Sequence, residues 1–487
     1  ESRGLGDVYK RQAYSGVRFS LRTELAARRA LPGPFMPSTP LLIGCASGFS
    51  GDRSDGAAAV VRTLAARGGG TLIFETLAER TLALAQLARN QDPQRGYEPL
   101  LDDLVAPVLA DCLRHGINIV SNFGAANPVA AARRIAELAA RQGLPAPRIA
   151  VIHGDALESP AQRDLLRQRL GAALDGVDVV SATAYLGATE IAQALAAGAQ
   201  IVVAGRVADP SLTLGPALAH FGWDLADWPR LGRATMAGHM LECGLQVTGG
   251  YFCVPGLKEV PDVHAAGFPI AEIQADGEFV IGKADATGGA VDARTVKEQL
   301  LYEVHDPARY LTPDVVADLS QAQVRDLGGD RVAVRGITGH ARPDELKVNV
   351  CYHGGWLAEA EISYAGVQAE ARARLAADIV QKRLGSALRL RADLIGAISI
   401  LDDDAGALRG AQADGHGRDV RLRMAGEHAD RAVAERVLRE VTALYTCGPA
   451  GGGGVRTALR PRLNMVSCTI PRDAVHSGWR FLEEIAQ

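Results

Sequence analysis

The sequence predicts an α/β protein, in which a mostly parallel, doubly wound sheet of the Rossmann-like type is followed by a second lobe of α+β character. From Met36 onward, short strands rich in Val and Ile alternate with Ala- and Leu-rich stretches of helical period, as in parallel sheets. Near residue 255 this alternation stops and paired segments with turn dipeptides follow. A partial barrel is the alternative, although a complete barrel needs eight strand–helix units and six precede the change.

The first lobe is expected at residues 36–255, with helical periodicity over Val129–Arg141 and Glu190–Ala197. Its candidate strands are short and bounded by Gly, Asp or Asn, which is typical of buried parallel strands. Strands and helices alternating at this spacing predict right-handed crossover connections. The six candidate strands are Leu41–Cys45, Thr71–Phe74, Ile117–Ser121, Arg148–His153, Val177–Ala182 and Gln200–Gly205.

The second lobe is expected at residues 256–487, where two pairs of segments resemble antiparallel strands. The dipeptide Asp276-Gly277 is typical of a hairpin turn. A long helix is predicted over Gln368–Arg383. The two predicted pairs are Ile270–Gln274 with Phe279–Gly282, and Arg331–Gly336 with Lys347–Tyr352.

Residues 1–35 differ in character from the rest of the chain and are expected to be a non-native or disordered extension. The segment Asp7–Gln12 resembles a translated transposon end from a sequencing library, and Met36 lies just before the first good strand. An Arg-rich transit peptide is the other interpretation of this stretch.

Composition limits the partners of the protein. The net charge is −4 with no basic stripe, which argues against nucleic-acid binding. Seven widely spaced cysteines without a C-x-x-C pair favour a thiol-reducing compartment. No apolar run reaches the roughly 18 residues of a membrane span. We therefore expect a cytoplasmic protein with a small-molecule partner and no membrane or nucleic-acid partner; homo-oligomerisation stays open.

Ligands of open parallel sheets bind beyond the carboxyl ends of the strands, and the first such loop runs from Gly44 to Arg53. Its glycines would permit close backbone approach, and the following helix start would favour an anion. An ordinary tight turn explains the loop equally well, since it matches neither a dinucleotide fingerprint nor a phosphate loop. The candidate substrate-binding residues here are Ser47, Gly48, Phe49 and Asp52.

The second and third loops supply an acid and two amides. Glu75 ends a predicted strand, from which its carboxylate can reach the crevice, and Asn122 ends another. We take both as candidate catalytic residues. Asn127 is a candidate for substrate binding, but it precedes Pro128 and is better explained as a helix N-cap. Glu79 is expected to be a solvated charge at a helix start.

The next loops add a histidine, an arginine and two aspartates. His153 is a candidate acid–base catalyst with Asp155 beside it, although a histidine at a strand end is more often structural. Arg206 follows the sixth strand and could bind a carboxylate or phosphate with its planar fork, or simply pair with Asp209. Asp155, Arg206 and Asp209 are therefore candidate substrate-binding residues.

A further candidate catalytic residue is His239, which would share a helix face with Glu242 three positions later. A metal site would need more ligands at recognisable spacing, so metal binding is the minor interpretation and no metal is predicted. Two glycine clusters, Thr287–Ala290 and Gly448–Gly454, suggest either close approach of a ligand or partner, or a mobile linker.

Ordered blocks of the chain resemble the acyclic terpene utilisation (AtuA-like) protein family. They run from about Met36 to the C-terminus in the expected order, which is far more specific than a single glycine motif. Some family members continue into a C-terminal ferredoxin-like module. This chain stops at Gln487 and is expected to lack that module, either naturally or through truncation. The blocks are Ser47–Arg53, Phe74–Gln86, Asn122–Pro128, Gly205–Pro210, Gly238–Phe252, Arg294–Ala317 and Tyr445–Gly454.

The resemblance implies a bacterial-type catabolic protein for citronellol- and geraniol-type compounds, whose intermediates are branched acyl-CoA thioesters. It leaves the reaction and any cofactor unknown. We hypothesise a lyase or hydratase acting on a branched acyl-CoA or related oxygenated acid, with Glu75 or His153 as general base. Arg206 would bind an anionic group, and Asn122 would stabilise an enolate-like oxygen. The alternative is a non-catalytic partner or scaffold in a degradation complex.

Overall fold

The computed structural model describes residues 39–397 and 418–485, so the extension expected at residues 1–35 lies outside the described residues. Up to residue 242, elements alternate as the sequence predicts. In chain order they are β1 (Leu41–Gly48), α1 (Ala57–Ala66), β2 (Thr71–Glu75), α2 (Glu79–Gln91), α3 (Leu101–Val105), α4 (Leu109–His115), β3 (Asn118–Ser121), α5 (Pro128–Arg141), β4 (Ile149–His153), α6 (Pro160–Leu170), β5 (Val179–Ala184), α7 (Thr189–Ala196), β6 (Ile201–Val203), α8 (Ser211–Phe221) and α9 (Trp228–Glu242).

The following elements are mainly strands. Two of the strands, β14 and β17, are unusually long at 21 and 19 residues. They are β7 (Pro269–Ile273), β8 (Phe279–Lys283), α10 (Ala293–Leu301), β9 (Tyr310–Leu311), β10 (Val316–Asp318), β11 (Gln323–Asp326), β12 (Val332–Arg335), β13 (Thr338–His340), β14 (Glu345–Ala365), α11 (Ala369–Leu384), β15 (Arg389–Ile395), β16 (Asp419–His428), α12 (Arg431–Cys447), β17 (Gly453–Pro471), β18 (Gly478–Phe481) and α13 (Leu482–Ile485).

The main sheet has ten strands in the order β11-β12-β8-β7-β1-β2-β3-β6-β4-β18. The five strands from β1 to β4 in this order are parallel, and antiparallel strands flank them on both sides. The mixed α/β architecture is thus as predicted, but the Rossmann-like doubly wound order is not confirmed. The chain moves outward from β1 through β3 to β4, and β6 then returns to fill the gap between β3 and β4. The sheet is open, with β11 and β18 at its edges, and is not a closed barrel.

Helices cover both faces of this sheet. Alternate residues of a strand point to opposite faces, and in β2 Leu72 and Phe74 join one core while Ile73 joins another. Residues of α1, α4 and α5 pack in the core of Leu72, whereas residues of α8 and α9 pack in the core of Ile73. This double burial explains why the parallel strands are continuously apolar in sequence.

Two sequence predictions about pairing are wrong. Strand β5, expected among the parallel strands, pairs antiparallel with β14 in the second sheet, through Ala182 and Val350. The expected pairing of residues 331–336 with 347–352 does not form, because β12 pairs with β8 and that part of β14 pairs with β17. Short apolar strands specify burial, but they do not specify their neighbour.

The hairpin of β7 and β8 is confirmed, with its turn at Gly277 in the left-handed region at φ +87°. These strands follow residue 255 but join the main sheet beside β1, with Ile43 opposite Ala271. The end of the strand–helix alternation near residue 255 therefore coincides with a change from parallel to antiparallel strands within one sheet. A division into domains at this position stays a prediction.

The second sheet has the strand order β15-β16-β14-β17, and its neighbouring strands are antiparallel. With α11 after β14 and α12 after β16, the unit follows the βαββαβ order of ferredoxin-like folds. The expectation that the chain lacks a ferredoxin-like module is therefore wrong. The helix predicted over residues 368–383 is confirmed as α11. Both helices pack on one sheet face around a core that includes Ala360, Leu422 and Val437. In the described parts of the chain, no helix has the length and apolarity required to cross a membrane.

Candidate functional site

The carboxyl ends of β2 and β3 bring Glu75 and Asn122 into direct contact. The amide Nδ2 of Asn122 donates to Glu75 Oε1 at 2.8 Å, and the backbone N–H of Leu77 donates to the same oxygen at 2.7 Å. The Oδ1 of Asn122 accepts from the backbone N–H of Thr76 at 2.9 Å. Both predicted residues are buried, so Asn122 fixes the loop that presents Glu75.

Arg206 reaches the same place from the end of β6. One of its terminal nitrogens donates to the Leu77 carbonyl oxygen and the other to Asp209 Oδ1, both at 2.7 Å. Its guanidinium lies 4.1 Å from the ring centre of Tyr185, and only 3% of its surface is exposed. With both terminal nitrogens engaged, Arg206 supplies positive charge to the cluster and is not placed as an open fork for a ligand.

Asp155 anchors the turn that carries Arg206. Its Oδ2 accepts from the backbone N–H of Arg206 at 2.7 Å, and it is buried beside Gly205, where a Cβ atom would collide with the carboxylate. Asp155 therefore lies directly behind the cluster and orients it. The sequence suggested that Asp155 binds substrate, but its burial does not favour that role.

Two carboxyl groups of the cluster have a raised pKa. Burial raises the pKa of Glu75 well above its ordinary range, and the charge of Asp209 adds to this, against the opposing effect of Arg206. Burial also raises the pKa of Asp209 to about 7, with Arg206 opposing and Glu242 adding to the rise. Asp209 keeps 31% of its side-chain surface exposed. Asp209 is therefore accessible to solvent, whereas Glu75 is buried at 4% exposure.

A second layer links the cluster to β14, and sequence reasoning missed it. The Tyr185 hydroxyl donates to Glu79 Oε1 at 2.7 Å and accepts from Asn349 Nδ2 at 2.9 Å. The ammonium of Lys347 lies 3.6 Å from Glu79 Oε1 and 4.8 Å from the Tyr185 ring centre. The Tyr185 ring thus contacts two cations, Lys347 and Arg206.

Glu79 is not the solvated helix-start charge that the sequence suggested, since its side chain is only 17% exposed. Burial alone would raise its pKa, but Arg206, Lys347 and the Tyr185 hydroxyl together lower it to about 2. Its position at the start of α2 gave no sign of this, because Tyr185 and Lys347 are distant in sequence. The only available signal was the family block Phe74–Gln86, which includes Glu79.

His239 and Glu242 form the helical pair that their spacing predicts, with 2.8 Å between Nδ1 and the Glu242 carboxylate. The other ring nitrogen lies 2.9 Å from the Gln299 carbonyl oxygen, which can only accept, so Nε2 carries a hydrogen. The Tyr310 hydroxyl lies 3.4 Å from Nδ1. Burial lowers the pKa of His239, but Glu242 outweighs this and the net pKa is raised. The Glu242 carboxylate therefore favours the protonated form of a histidine that is only 1% exposed.

This pair is electrostatically continuous with the first cluster, because Glu242 contributes to the raised pKa of Asp209. Glu303 extends the same group: burial raises its pKa and Glu242 adds to the rise. Among the described residues, no group of three or more His, Cys, Asp or Glu side chains is arranged to hold a metal ion.

His153 is not brought into this cluster. It is exposed at the end of β4, where β18 pairs with it through Gly478, and a Cβ on that glycine would lie 2.8 Å from the imidazole ring. Burial against β18 and the charge of Arg480 lower its pKa, with Glu190 opposing. Its surroundings are therefore those of the sheet edge.

Asn127 performs the structural role that its position before Pro128 indicates. Its Oδ1 accepts from the backbone N–H of Ala130 at 3.3 Å, capping α5. Its Nδ2 donates to the carbonyl oxygens of Pro93 and Arg95 at 2.9 and 2.8 Å. All the hydrogen bonds described for this side chain therefore join the start of α5 to the segment at residues 93–95.

The loop after β1 has the geometry of a packed turn. Gly48 N–H donates to Asp52 Oδ2 at 2.8 Å, and Ser47 Oγ donates to the Phe49 carbonyl at 3.1 Å. A Cβ on Gly48 would lie 2.5 Å from the Cys243 carbonyl carbon, so this glycine is required for packing. Phe49 is 56% exposed.

The late glycine clusters also pack closely. A Cβ at Gly289 would lie 2.7 Å from the Thr248 carbonyl oxygen, and one at Gly452 would lie 2.8 Å from the Ile362 side chain. Gly451 and Gly454 have φ of +72° and +67°, which glycine adopts without strain. Close backbone approach to the protein itself accounts for these residues.

The fold and the site together define a class: an α/β protein with a buried acid–amide–guanidinium cluster at the carboxyl edge of the parallel strands in an open mixed sheet. The family model described as acyclic terpene utilisation family protein AtuA matches residues 41–481, nearly the whole chain. The chain belongs to this family, and membership implies a role in acyclic terpene utilisation. Neither a curated protein nor a solved structure matches it.

Proposed function

We propose that the protein is an acid–base enzyme of acyclic terpene breakdown, acting as a lyase or hydratase on a branched acyl-CoA or related oxygenated acid. The observation that carries the proposal is the pair of carboxyl groups Glu75 and Asp209, both with raised pKa, beside the buried Arg206. Titratable groups whose pKa values are moved toward neutrality by burial and by specific neighbours are typical of catalytic sites.

Asp209 is the group that a ligand can reach, and a pKa of about 7 suits proton transfer at neutral pH. In an elimination Asp209 would take the proton from the carbon next to the acyl carbonyl and pass it to the hydroxyl group on the neighbouring carbon. That group leaves as water as the carbon–carbon double bond forms, and Asp209 returns to its starting state. Burial and the charge of Asp209 raise the pKa of Glu75. Burial raises the pKa of Asp209, and repulsion by the charges of Glu242 and Glu79 adds to the rise, which keeps Asp209 basic. Arg206 limits the repulsion and holds Asp209 in place at 2.7 Å.

Lys347 is the cation through which an anionic substrate group would be held. Its side chain is 39% exposed, beside Glu79 and the Tyr185 ring. A carboxylate, phosphate or enolate oxygen placed between Lys347 and Asp209 would gain charge stabilisation as negative charge develops. This assigns to Lys347 the anion-binding role that the sequence suggested for Arg206.

The test is incubation of the purified protein with a panel of branched 2-enoyl- and 3-hydroxyacyl-CoA esters in D₂O, read by mass spectrometry. We expect hydration, dehydration or deuterium exchange at the carbon next to the carbonyl. Asp209→Asn should reduce the rate by about 10²-fold or more, because a general acid–base group contributes about that factor.

Asp164→Asn is the matched control, because this substitution also removes one negative charge. Asp164 pairs with Arg167 on the exposed surface of α6. The absence of conversion and exchange across the panel would count against the enzyme. Unchanged growth on acyclic terpenes in a strain carrying Asp209→Asn and Glu75→Gln would instead favour the scaffold alternative.

A further inference from the structure

The C-terminal part of helix α9 lies against the turn that carries Asp209. A Cβ on Gly238 would lie 2.7 Å from the carbonyl oxygen of Pro210, so the helix backbone contacts this turn directly. Glu242 follows Gly238 by four positions, and side chains four apart share a helix face and lean toward the helix N-terminus. The Glu242 side chain therefore lies on the face that contacts Pro210, beside Asp209. Burial raises the pKa of Asp209, and the charge of Glu242 adds to the rise, as this proximity requires.

The two carboxylate oxygens of Glu242 have different surroundings. Oε1 lies 2.8 Å from His239 Nδ1, and the second imidazole nitrogen is bound to the Gln299 carbonyl oxygen. The Tyr310 ring packs on the imidazole, with 5.1 Å between the ring centres. Oε2 is buried, and no group in residues 39–397 or 418–485 donates a hydrogen bond to it. A buried carboxylate oxygen without a donor is costly, so this oxygen is suited to a hydrogen that a ligand brings.

We propose, on the basis of the proposed function, that Oε2 of Glu242 binds the hydroxyl group that leaves in the reaction of Asp209, and that His239 positions Glu242. The hydroxyl hydrogen would donate to Oε2, which turns a lone pair of the hydroxyl oxygen toward Asp209. The proton taken from the carbon passes through Asp209 to this oxygen, the carbon–oxygen bond breaks, and water remains bound to Glu242 without a change in the protonation of Glu242. In the reverse direction Oε2 accepts from the attacking water and orients it toward the double bond.

The experiment compares two reactions of the full chain at about pH 8, where Asp209 is mostly ionised because its pKa is about 7. Deuterium exchange of 4-methylpentanoyl-CoA in D₂O needs a base but no hydroxyl group, whereas dehydration of its 3-hydroxy derivative needs both. Glu242→Gln puts an amide that can donate in place of an oxygen that only accepts. We expect it to lower kcat for dehydration about 10²-fold, the cost of misplacing a reacting group, and to change the exchange rate less than about threefold. Glu137→Gln, in an exposed pair with Arg134 on α5, should change neither.

A matched pair of substitutions tests His239 as the positioning residue. His239→Asn keeps an N–H group near the place of Nδ1 and loses the bond to Gln299, whereas His239→Gln keeps one near the place of Nε2 and loses the bond to Glu242. We expect His239→Gln to lower kcat for dehydration about fivefold more than His239→Asn, which is about what one hydrogen bond contributes. A merely structural histidine would give equal losses, because each variant loses one hydrogen bond.

Equal lowering of exchange and dehydration by Glu242→Gln, or no lowering of dehydration, would overturn the role of Glu242 while the proposed function stands. Absence of both reactions in the unsubstituted protein would instead remove the proposed function, and the role of Glu242 with it. If circular dichroism shows that Glu242→Gln does not fold, the histidine pair decides. Equal losses in His239→Gln and His239→Asn would then overturn the assignment.

Discussion

Asp209→Asn tests the electrostatics of the site through the stability of the protein. Burial raises the pKa of Asp209 from its ordinary value of 3.8 to about 7. A rise of this size corresponds to about 4 kcal/mol, and partial exposure of 31% reduces the expected effect to about 2 kcal/mol. Asparagine keeps an oxygen that accepts from Arg206 but cannot ionise.

The sign follows from proton linkage. Below an unfolded pKa of about 4, both states hold the proton and ionisation of Asp209 contributes nothing. Between this value and about 7 the unfolded chain loses the proton while the folded protein keeps it, so stability falls as the pH rises. Above about pH 7 the loss of stability is complete. The Asp209→Asn variant does not show this loss, because asparagine does not ionise.

The assay is urea unfolding of the unsubstituted protein and of Asp209→Asn, at about pH 4 and about pH 8. We expect the variant to gain about 2 kcal/mol relative to the unsubstituted protein between the two pH values. Asp164→Asn, in an exposed i,i+3 pair with Arg167, should show no such difference. A variant that instead loses stability between these pH values would refute the reasoning, because the ion pair with Arg206 would then outweigh the cost of burial.

Two further predictions concern the residues whose structural role is now visible. Gly48→Ala should lower the free energy of unfolding by about 2 kcal/mol or more, because its Cβ would lie 2.5 Å from the backbone of Cys243. Thermal unfolding checks this prediction. A loss of unfolding free energy below half that value would show that the loop moves to accommodate the Cβ atom at little cost. Asn127→Ala should cost about 1–3 kcal/mol in urea unfolding, through the lost cap and two unpaired carbonyl groups. Asn127→Asp is the informative comparison: it should restore the cap but not the bonds to residues 93 and 95, and full recovery would contradict this division.

Local information in the sequence was sufficient for the strand ends that carry Glu75, Asn122 and Arg206. Each follows a short apolar run, and carboxyl ends of neighbouring parallel strands meet at one sheet edge. His153 satisfied the same rule, yet β18 pairs with the end of its strand and occupies its surroundings. That pairing joins positions more than 300 residues apart, and no local pattern encodes it.

The sequence by itself determined the alternation of strands and helices, the burial of the parallel strands and the helical pairing of His239 with Glu242. These depend on residue periodicity over one or two turns, which is a local property. Only the tertiary structure decided the insertion of β6 between β3 and β4, the transfer of β5 to the second sheet and the burial of Glu79 beneath Tyr185. The protonation of Asp209 belongs to this second group, because desolvation and charge act through space and depend on which side chains the fold brings together.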